Sequence, residues 1–252
     1  MDNFLLKLFA PASLLMLASC GGDGGPAPAP TTPLASPAGF YVGTSGAGPT
    51  LREVSTLILD NGRVYSLYSG PAGGPPTGIS GAVVGNGITT GNTFTASPTR
   101  DFNFDVPSVT IGSLSASFTP RSSISGTVSG GVPAVTFTGT YAPAYENAPS
   151  LTTAAGTYNG FVGFSAGSEA STVVVAANGV ISATSVGGCA LSGTAGLHAS
   201  GNVYDVTITV GAGCVFPPAT VLTGHAYLNG TTLHSIVMNP GLTDGLIFTG
   251  TR

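Results

Sequence analysis

Residues 163–167, Gly163-Phe164-Ser165-Ala166-Gly167, match the Gly-x-Ser-x-Gly pattern, and Asp205, His225 and His234 follow further along the chain. These residue types could supply the serine, histidine and acid of a hydrolase. A nucleophile of this kind needs a sharp turn between a strand and a helix, so that the serine hydroxyl is exposed. Here another β-type run follows the pattern. The sequence therefore predicts a hairpin loop and no enzyme, and an esterase-like hydrolase is the least favoured alternative.

A second segment, Asp101-Phe102-Asn103-Phe104-Asp105, begins like a calcium-binding loop. Such a loop needs Gly at its sixth position and Glu at its twelfth, where this chain has Val106 and Gly112. The alternation of apolar and polar residues is instead typical of a strand. We expect Phe102, Phe104 and Val106 to point inward and the acids to point outward.

His225 and His234 flank the turn signal Asn229-Gly230. If these two residues form the turn, His225 lies directly opposite His234, with Cβ atoms about 5 Å apart. That distance would let both rings share a metal ion, although the sequence shows no third ligand. We expect two neutral, partly exposed imidazoles and no cofactor, and His225 and His234 remain weak metal candidates.

Cys189 and Cys214 are predicted to form a disulfide. With Gly201-Asn202 as a two-residue turn, Ser200 pairs with Val203 and Cys189 lies opposite Cys214. A disulfide would fit an oxidising compartment such as the periplasm or cell exterior. In this register one face carries both cysteines with Leu191, Ala195, Leu197, Val206, Ile208 and Val210. The other face carries Ser192, Thr194, His198, Asp205, Thr207 and Thr209.

The elements that must position these residues occur in two copies. Residues 38–43 match residues 155–160, residues 54–62 match 171–179, and residues 137–140 match 248–251. Each copy consists of short β-type runs separated by turn residues, with eight runs in the second copy. We predict an all-β protein of two tandem antiparallel up-and-down barrels, each of about eight strands, with a β-sandwich as the alternative. We expect the interior of the second copy to be small and filled by apolar side chains at these inward positions: Leu222, Ala226, Leu228, Leu233 and Val237.

Composition excludes one class of function. The 252 residues include only 6 Lys and Arg, 10 Asp and Glu, and no Trp, with a net charge of −4. Because the basic residues are scattered singly, no stripe of positive charge could neutralise several phosphates, and nucleic acid is not an expected partner. The missing Trp also removes the signature of lipocalins, although a small-molecule carrier of that general type stays open as a function.

The N-terminus carries a targeting signal. An apolar run from Leu8 to Ala18, too short to cross a bilayer, leads into Leu17-Ala18-Ser19-Cys20. This segment resembles the signal and lipobox of bacterial lipoproteins. The resemblance implies cleavage before Cys20, acylation of Cys20 with palmitate-like chains, and anchoring in a membrane. Gly21 after the cysteine favours, by the rule of that family, sorting to the outer membrane.

These inferences give the following division of the chain: a signal peptide at 1–19, a Gly/Pro-rich tether at 20–37, a first barrel at 38–145, a linker at 146–154 and a second barrel at 155–252. This layout resembles surface lipoproteins of the transferrin-binding protein B type. We expect a non-enzymatic lipoprotein of the Gram-negative outer membrane, facing the periplasm or the cell surface, with a binding, adhesion or surface-structure role. Its expected partners are the membrane and a periplasmic or extracellular protein, and a periplasmic small-molecule carrier is the alternative.

Overall fold

The computed structural model describes residues 35–71, 78–130 and 133–252, which fall within one compact unit. They form two closed antiparallel barrels of eight strands each, which confirms the predicted all-β class and favours the barrel over the sandwich. Within these ranges no helix has the length and apolar character needed to cross a membrane. The predicted signal peptide and Cys20 lie outside the described residues.

Each strand of the first barrel pairs with the next one along the chain, and β1 closes the barrel against β8. The strands are β1 (Gly39–Ser45), β2 (Arg52–Ile58), β3 (Arg63–Tyr68), β4 (Gly81–Thr90), β5 (Thr93–Asn103), β6 (Ser108–Thr119), β7 (Ser123–Ser129) and β8 (Val135–Tyr141). A short 3-10 helix, Gly48–Thr50, follows β1.

A second 3-10 helix, Pro143–Glu146, and one turn of α-helix, α1 (Leu151–Ala154), connect the two barrels. In the second barrel β9 closes against β16. Its strands are β9 (Gly156–Phe164), β10 (Gly167–Val175), β11 (Val180–Ser185), β12 (Ala190–Leu197), β13 (Val203–Val210), β14 (Val221–Asn229), β15 (Thr232–Met238) and β16 (Gly245–Thr251).

The matching sequence segments occupy equivalent places in the two barrels. Residues 38–43 and 155–160 lead into or lie on the first strands, β1 and β9. Residues 54–62 and 171–179 cover the second strand and the turn after it, and the two Phe-Thr-Gly-Thr segments lie on the last strands, β8 and β16. The internal repeat is therefore a repeat of whole barrels.

Two predicted registers are wrong by two residues, which preserves the face of every side chain but changes its partner. Leu197 of β12 pairs with Tyr204, so the connection to β13 is longer than the predicted two-residue turn. Asn229 pairs with Thr232, so Gly230 and Thr231 form the turn between β14 and β15. Because side chains alternate with a period of two, a slip of two residues leaves the inner and outer faces as predicted.

The predicted disulfide is present in spite of the changed register. Cys189 precedes β12 and Cys214 lies in the loop after β13, and the two Cα atoms are 4.3 Å apart. The bond therefore joins two loops at one end of the barrel and not two paired strand residues. Leu197, which is predicted to face the core, is 53% exposed because it lies at the very end of β12.

A buried cluster joins the two barrels through their outer faces. Phe40 of β1 stacks on Tyr227 of β14, with ring centroids 3.8 Å apart. Five residues of the second barrel belong to the same buried cluster as the core of the first: Val203, Tyr227, Ile236, Met238 and Ile247. The second barrel has its own interior core, which contains all five positions predicted as simple filling. Several outward positions at the contact are therefore apolar and buried.

Candidate functional site

The largest of the cavities described here opens at one end of the first barrel and has a volume of about 500 Å³. We call it the cup. Ends of β1, β2, β3, β4, β5, β7 and β8 contribute to its wall, with these residues among others: Ser45, Arg52, Val54, Ser66, Tyr68, Val83, Asp101, Asn103, Val128 and Phe137. The other half of the barrel interior is filled by large side chains: Tyr41, Phe94, Phe118, Ile124 and Tyr141. The barrel is therefore closed at one end and hollow at the other.

One wall of the cup carries hydrogen-bonding and charged groups. The Tyr68 hydroxyl donates to Asp101 Oδ1 at 2.8 Å, and burial raises the pKa of the Asp101 carboxyl. The guanidinium of Arg52 lies 5.3 Å from the centre of the Tyr68 ring and donates to Asp105 Oδ2 at 3.1 Å. Ser66 Oγ shares a 2.8 Å hydrogen bond with Thr56 Oγ1. A ligand would meet these polar groups beside apolar side chains.

The orientation predicted for residues 101–105 is wrong. Asp101 faces into the cup, whereas Phe102 is buried in the cluster that joins the barrels, and Val106 is 70% exposed. Phe104 is buried against Gly163 of the second barrel. The reason is that the second barrel covers this outer surface, so the phenylalanines are buried outside the first barrel and the acid occupies its interior.

The interior of the second barrel is nearly full. Its cavity has a volume of about 60 Å³ and is lined almost entirely by apolar side chains, with Ser171 and Ser235 as the polar exceptions. Pockets that bind organic ligands usually measure ~300–1,000 Å³. The cup falls within that range and the second interior does not.

The serine of the Gly-x-Ser-x-Gly pattern lies in a hairpin, as predicted. Phe164 pairs with Gly167, so Ser165 and Ala166 form the turn between β9 and β10. Ser165 Oγ donates to Asp244 Oδ2 at 2.5 Å. No described contact joins Ser165 to His225 or His234.

The two candidate histidines do not face each other. His225 pairs with Ile236 and His234 pairs with Tyr227, because the turn lies one residue further along than predicted. His234 lies against Phe40 of the first barrel, with ring centroids 5.8 Å apart, and burial lowers its pKa to about 4. The imidazoles are on the outer face and partly exposed, as predicted, and the first barrel lies against them.

His225 instead belongs to a cluster at the contact between the barrels. Asp205 is its directly paired neighbour on β13, and His225 Nε2 lies 3.5 Å from Asp205 Oδ1. His198 Nδ1 lies 2.6 Å from the same oxygen. His225 Nδ1 shares a 2.8 Å hydrogen bond with the hydroxyl of Tyr65 from the first barrel. Burial, with a further contribution from His198, lowers the pKa of His225 to about 4.

Sequence reasoning missed both the cup and this cluster. The sequence does contain a signal for the cup, because Tyr68 and Asp101 alternate with apolar residues along their strands. The apolar residues lie on the opposite face, and this led to the wrong prediction that the opposite face is the interior. The sequence predicts that His198 and Asp205 share one outer face. The short distance between these two residues depends on the loop after β12, and the sequence does not fix the length of that loop.

Comparisons of the chain with protein-family models and with curated proteins found no match.

Proposed function

We propose that this protein is a non-enzymatic, lipid-anchored binding protein of the Gram-negative cell envelope, and that the cup of its first barrel binds a small molecule. The observation that carries the binding role is the contrast between the two barrels, whose interiors measure about 500 Å³ and about 60 Å³. If both barrels served only as spacers, side chains could fill both interiors equally well. A role in adhesion or surface structure would not require one hollow barrel.

The lining of the cup suggests the class of ligand. Val54, Val83, Val128 and Phe137 offer apolar contact, while Tyr68 and Asp101 form a polar wall. A pocket of this composition orients a mostly apolar ligand through a few polar groups. We therefore expect an amphipathic small molecule whose hydrogen-bonding end lies beside Asp101 and Tyr68.

A dye-binding measurement tests the cup. The probe is 1-anilinonaphthalene-8-sulfonate, an amphipathic dye that fluoresces in apolar surroundings. We expect the purified chain to bind one dye molecule, and Val83→Phe, which places a ring in the cup, to weaken that binding by about tenfold or more. Val83 is a suitable site because it is only 4% exposed and lines the cup.

The matched control is Val221→Phe, which makes the same change at a strand position that is 50% exposed on the second barrel. This variant should bind the dye like the original protein. Equal binding by the Val83→Phe variant would contradict the proposal, because the dye would then occupy some other surface.

The proposed anchor rests on the lipobox that ends at Cys20. Each acyl methylene buried in a bilayer contributes ~0.8 kcal/mol, so several chains would hold the protein permanently. Cys20→Ser should release the protein from membranes washed with high salt or leave an unprocessed precursor. A variant that is processed and still fractionates with the membrane would contradict the lipoprotein assignment, and protease treatment of intact cells would separate surface from periplasmic display.

A further inference from the structure

We propose that His198, Asp205 and His225 form a binding site for one divalent transition-metal ion of the zinc type, located where the two barrels meet. One ligand atom from each of the three residues lies within 4.8 Å of the others. Two imidazoles and one carboxylate with an open fourth position form a recurring protein site for such ions. The site is independent of the cup.

The distances fit a metal site with a small adjustment. Ligands at ~2.0–2.2 Å from a tetrahedral ion lie about 3.3–3.6 Å from one another. His225 Nε2 is 3.5 Å from Asp205 Oδ1, close to that spacing, and His198 Nδ1 is 2.6 Å from the same oxygen. An ion between the three groups would replace the short hydrogen bond between His198 and Asp205 by one metal bond to each of these residues. The second ring nitrogen of each histidine would then point away from the ion.

Those second nitrogens point to partners of the kind that orient metal-binding histidines. Such a histidine usually donates its other N–H to a carboxylate, a carbonyl or another polar oxygen. His225 Nδ1 is 2.8 Å from the Tyr65 hydroxyl, and His198 Nε2 is 3.6 Å from Asp60 Oδ1. His198 Nε2 is buried and has no hydrogen-bond partner within the described ranges, and closer approach to Asp60 would provide one.

The site is also accessible to an ion. The side chain of Asp205 is 55% exposed, whereas those of His198 and His225 are 13% and 16% exposed. A groove of about 310 Å³, lined in part by Asp205 and His225, lies beside the cluster. A metal ion could therefore enter from solvent and keep a water molecule at its fourth position.

The ligands and their orienting partners come from different barrels. His198, Asp205 and His225 belong to the second barrel, whereas Asp60 and Tyr65 belong to the first. Ser200, in the same loop as His198, also donates to Asp60 Oδ2 at 2.5 Å. A bound ion would therefore stabilise the contact between the barrels as well as the loop after β12.

Calorimetric titration with zinc chloride tests this site. The full chain is used with Cys20→Ser and without a polyhistidine tag, so that no free thiol or added imidazole competes for the ion. We expect one zinc ion per chain and a higher melting temperature when it is bound. His225→Gln and Asp205→Asn should each weaken binding by more than about tenfold, and Tyr65→Phe by about 10–100-fold, the usual effect of removing an orienting partner.

His234→Gln is the matched control, since it removes one of the 3 histidines of the chain but lies outside the cluster. Its zinc affinity should equal that of the original protein. Asp205→Asn keeps the test decisive if a histidine variant fails to fold, because its side chain is largely exposed. The site is wrong if the original chain shows no saturable zinc binding, if folded Asp205→Asn binds zinc as well as the original chain, or if His234→Gln weakens binding as much as His225→Gln.

Discussion

A tyrosine and a glycine recur at the same place in both barrels and have a structural explanation. Tyr41 donates its hydroxyl to the carbonyl of Pro37 at 2.9 Å, and Tyr158 donates to the carbonyl of Ala154 at 2.8 Å. Each tyrosine is the central residue of a Gly-x-Tyr-x-Gly segment and lies two residues before its second glycine, Gly43 or Gly160. The ring of each tyrosine is buried in its own barrel. The repeated motif therefore fixes the first strand of each barrel, and it indicates no ligand site.

The glycine of this motif allows the first and last strands to approach closely. A Cβ atom on Gly43 would lie 1.9 Å from the carbonyl oxygen of Thr138, and one on Gly160 would lie 2.0 Å from that of Thr249. We expect Gly43→Ala and Gly160→Ala each to lower the free energy of unfolding by about 1–3 kcal/mol or more, because backbone atoms must move. Urea unfolding monitored by circular dichroism measures this loss.

Gly196→Ala provides the control for these variants. Gly196 is also a strand glycine, but among the described residues no atom beyond its chain neighbours lies within 4 Å of the position that its Cβ would take. Its substitution should change the free energy of unfolding by less than about 0.5 kcal/mol. If all three variants lose the same stability, closure of the barrels does not depend on the glycines of the motif.

The imidazole of His234, which packs against the first barrel, makes stability depend on pH. Its pKa is about 4 in the folded protein and ~6.5 in the unfolded chain, so folding favours the neutral ring. Its contribution is complete above about pH 6.5 and is lost as the pH falls toward 4. Between pH 7 and pH 5 this loss amounts to about 2 kcal/mol. His234→Gln should remove about that much of the acid sensitivity seen in urea unfolding, and an unchanged difference between the two pH values would show that the ring is not buried as a neutral group.

At the scale of the strand, the hydrophobic pattern predicted the strands and their faces better than the turn residues predicted the strand registers. The eight runs of the second copy are strands, and Val206, Ile208 and Val210 face its core as expected. Registers failed by two residues because Asn-Gly and similar pairs predict that a turn exists without fixing which residues occupy it. Asn86-Gly87 shows the same limit, since it lies at a β-bulge inside β4 and forms no turn.

In β5 the interior face could not be recognised from the alternation of apolar and polar residues. Asp101 and Phe102 were assigned to the wrong faces because strand alternation shows two faces without saying what covers each. In β5 the second barrel covers the apolar face. The burial of Phe102 therefore depends on a contact between modules that are far apart in sequence, and the same holds for the contact of His225 with Tyr65.

The disulfide belongs to this scale because it constrains the hairpin of β12 and β13. It links residues separated by 25 positions, and a bond that closes a loop of this size stabilises a fold by ~3 kcal/mol in the chain-entropy model. We expect the double variant Cys189→Ser and Cys214→Ser to lose about this free energy of unfolding under oxidising conditions. Reductant should destabilise the original protein and leave the double variant unchanged; the same response in both would mean that the bond is not formed in solution.

At the scale of the whole molecule, the two barrels share buried surface yet differ in their interiors. Phe40, Tyr227 and their neighbours form one continuous cluster, so the described unit should unfold in a single transition. The interior of the second barrel is nearly full, the first barrel carries the cup, and the proposed metal ligands lie at the contact between the barrels. We therefore propose that the two copies of the fold differ in their roles.

The most direct test of the proposed function is a methyl NMR spectrum of the valine-labelled chain, recorded with and without 1-anilinonaphthalene-8-sulfonate. The proposal predicts shifts for Val54, Val83 and Val128, which line the cup. It predicts no shifts for Val162, Val175, Val206 and Val237, which line the small interior of the second barrel. Shifts confined to the second barrel, or spread over outer positions with the cup resonances unchanged, would contradict the assignment of the cup as the binding site.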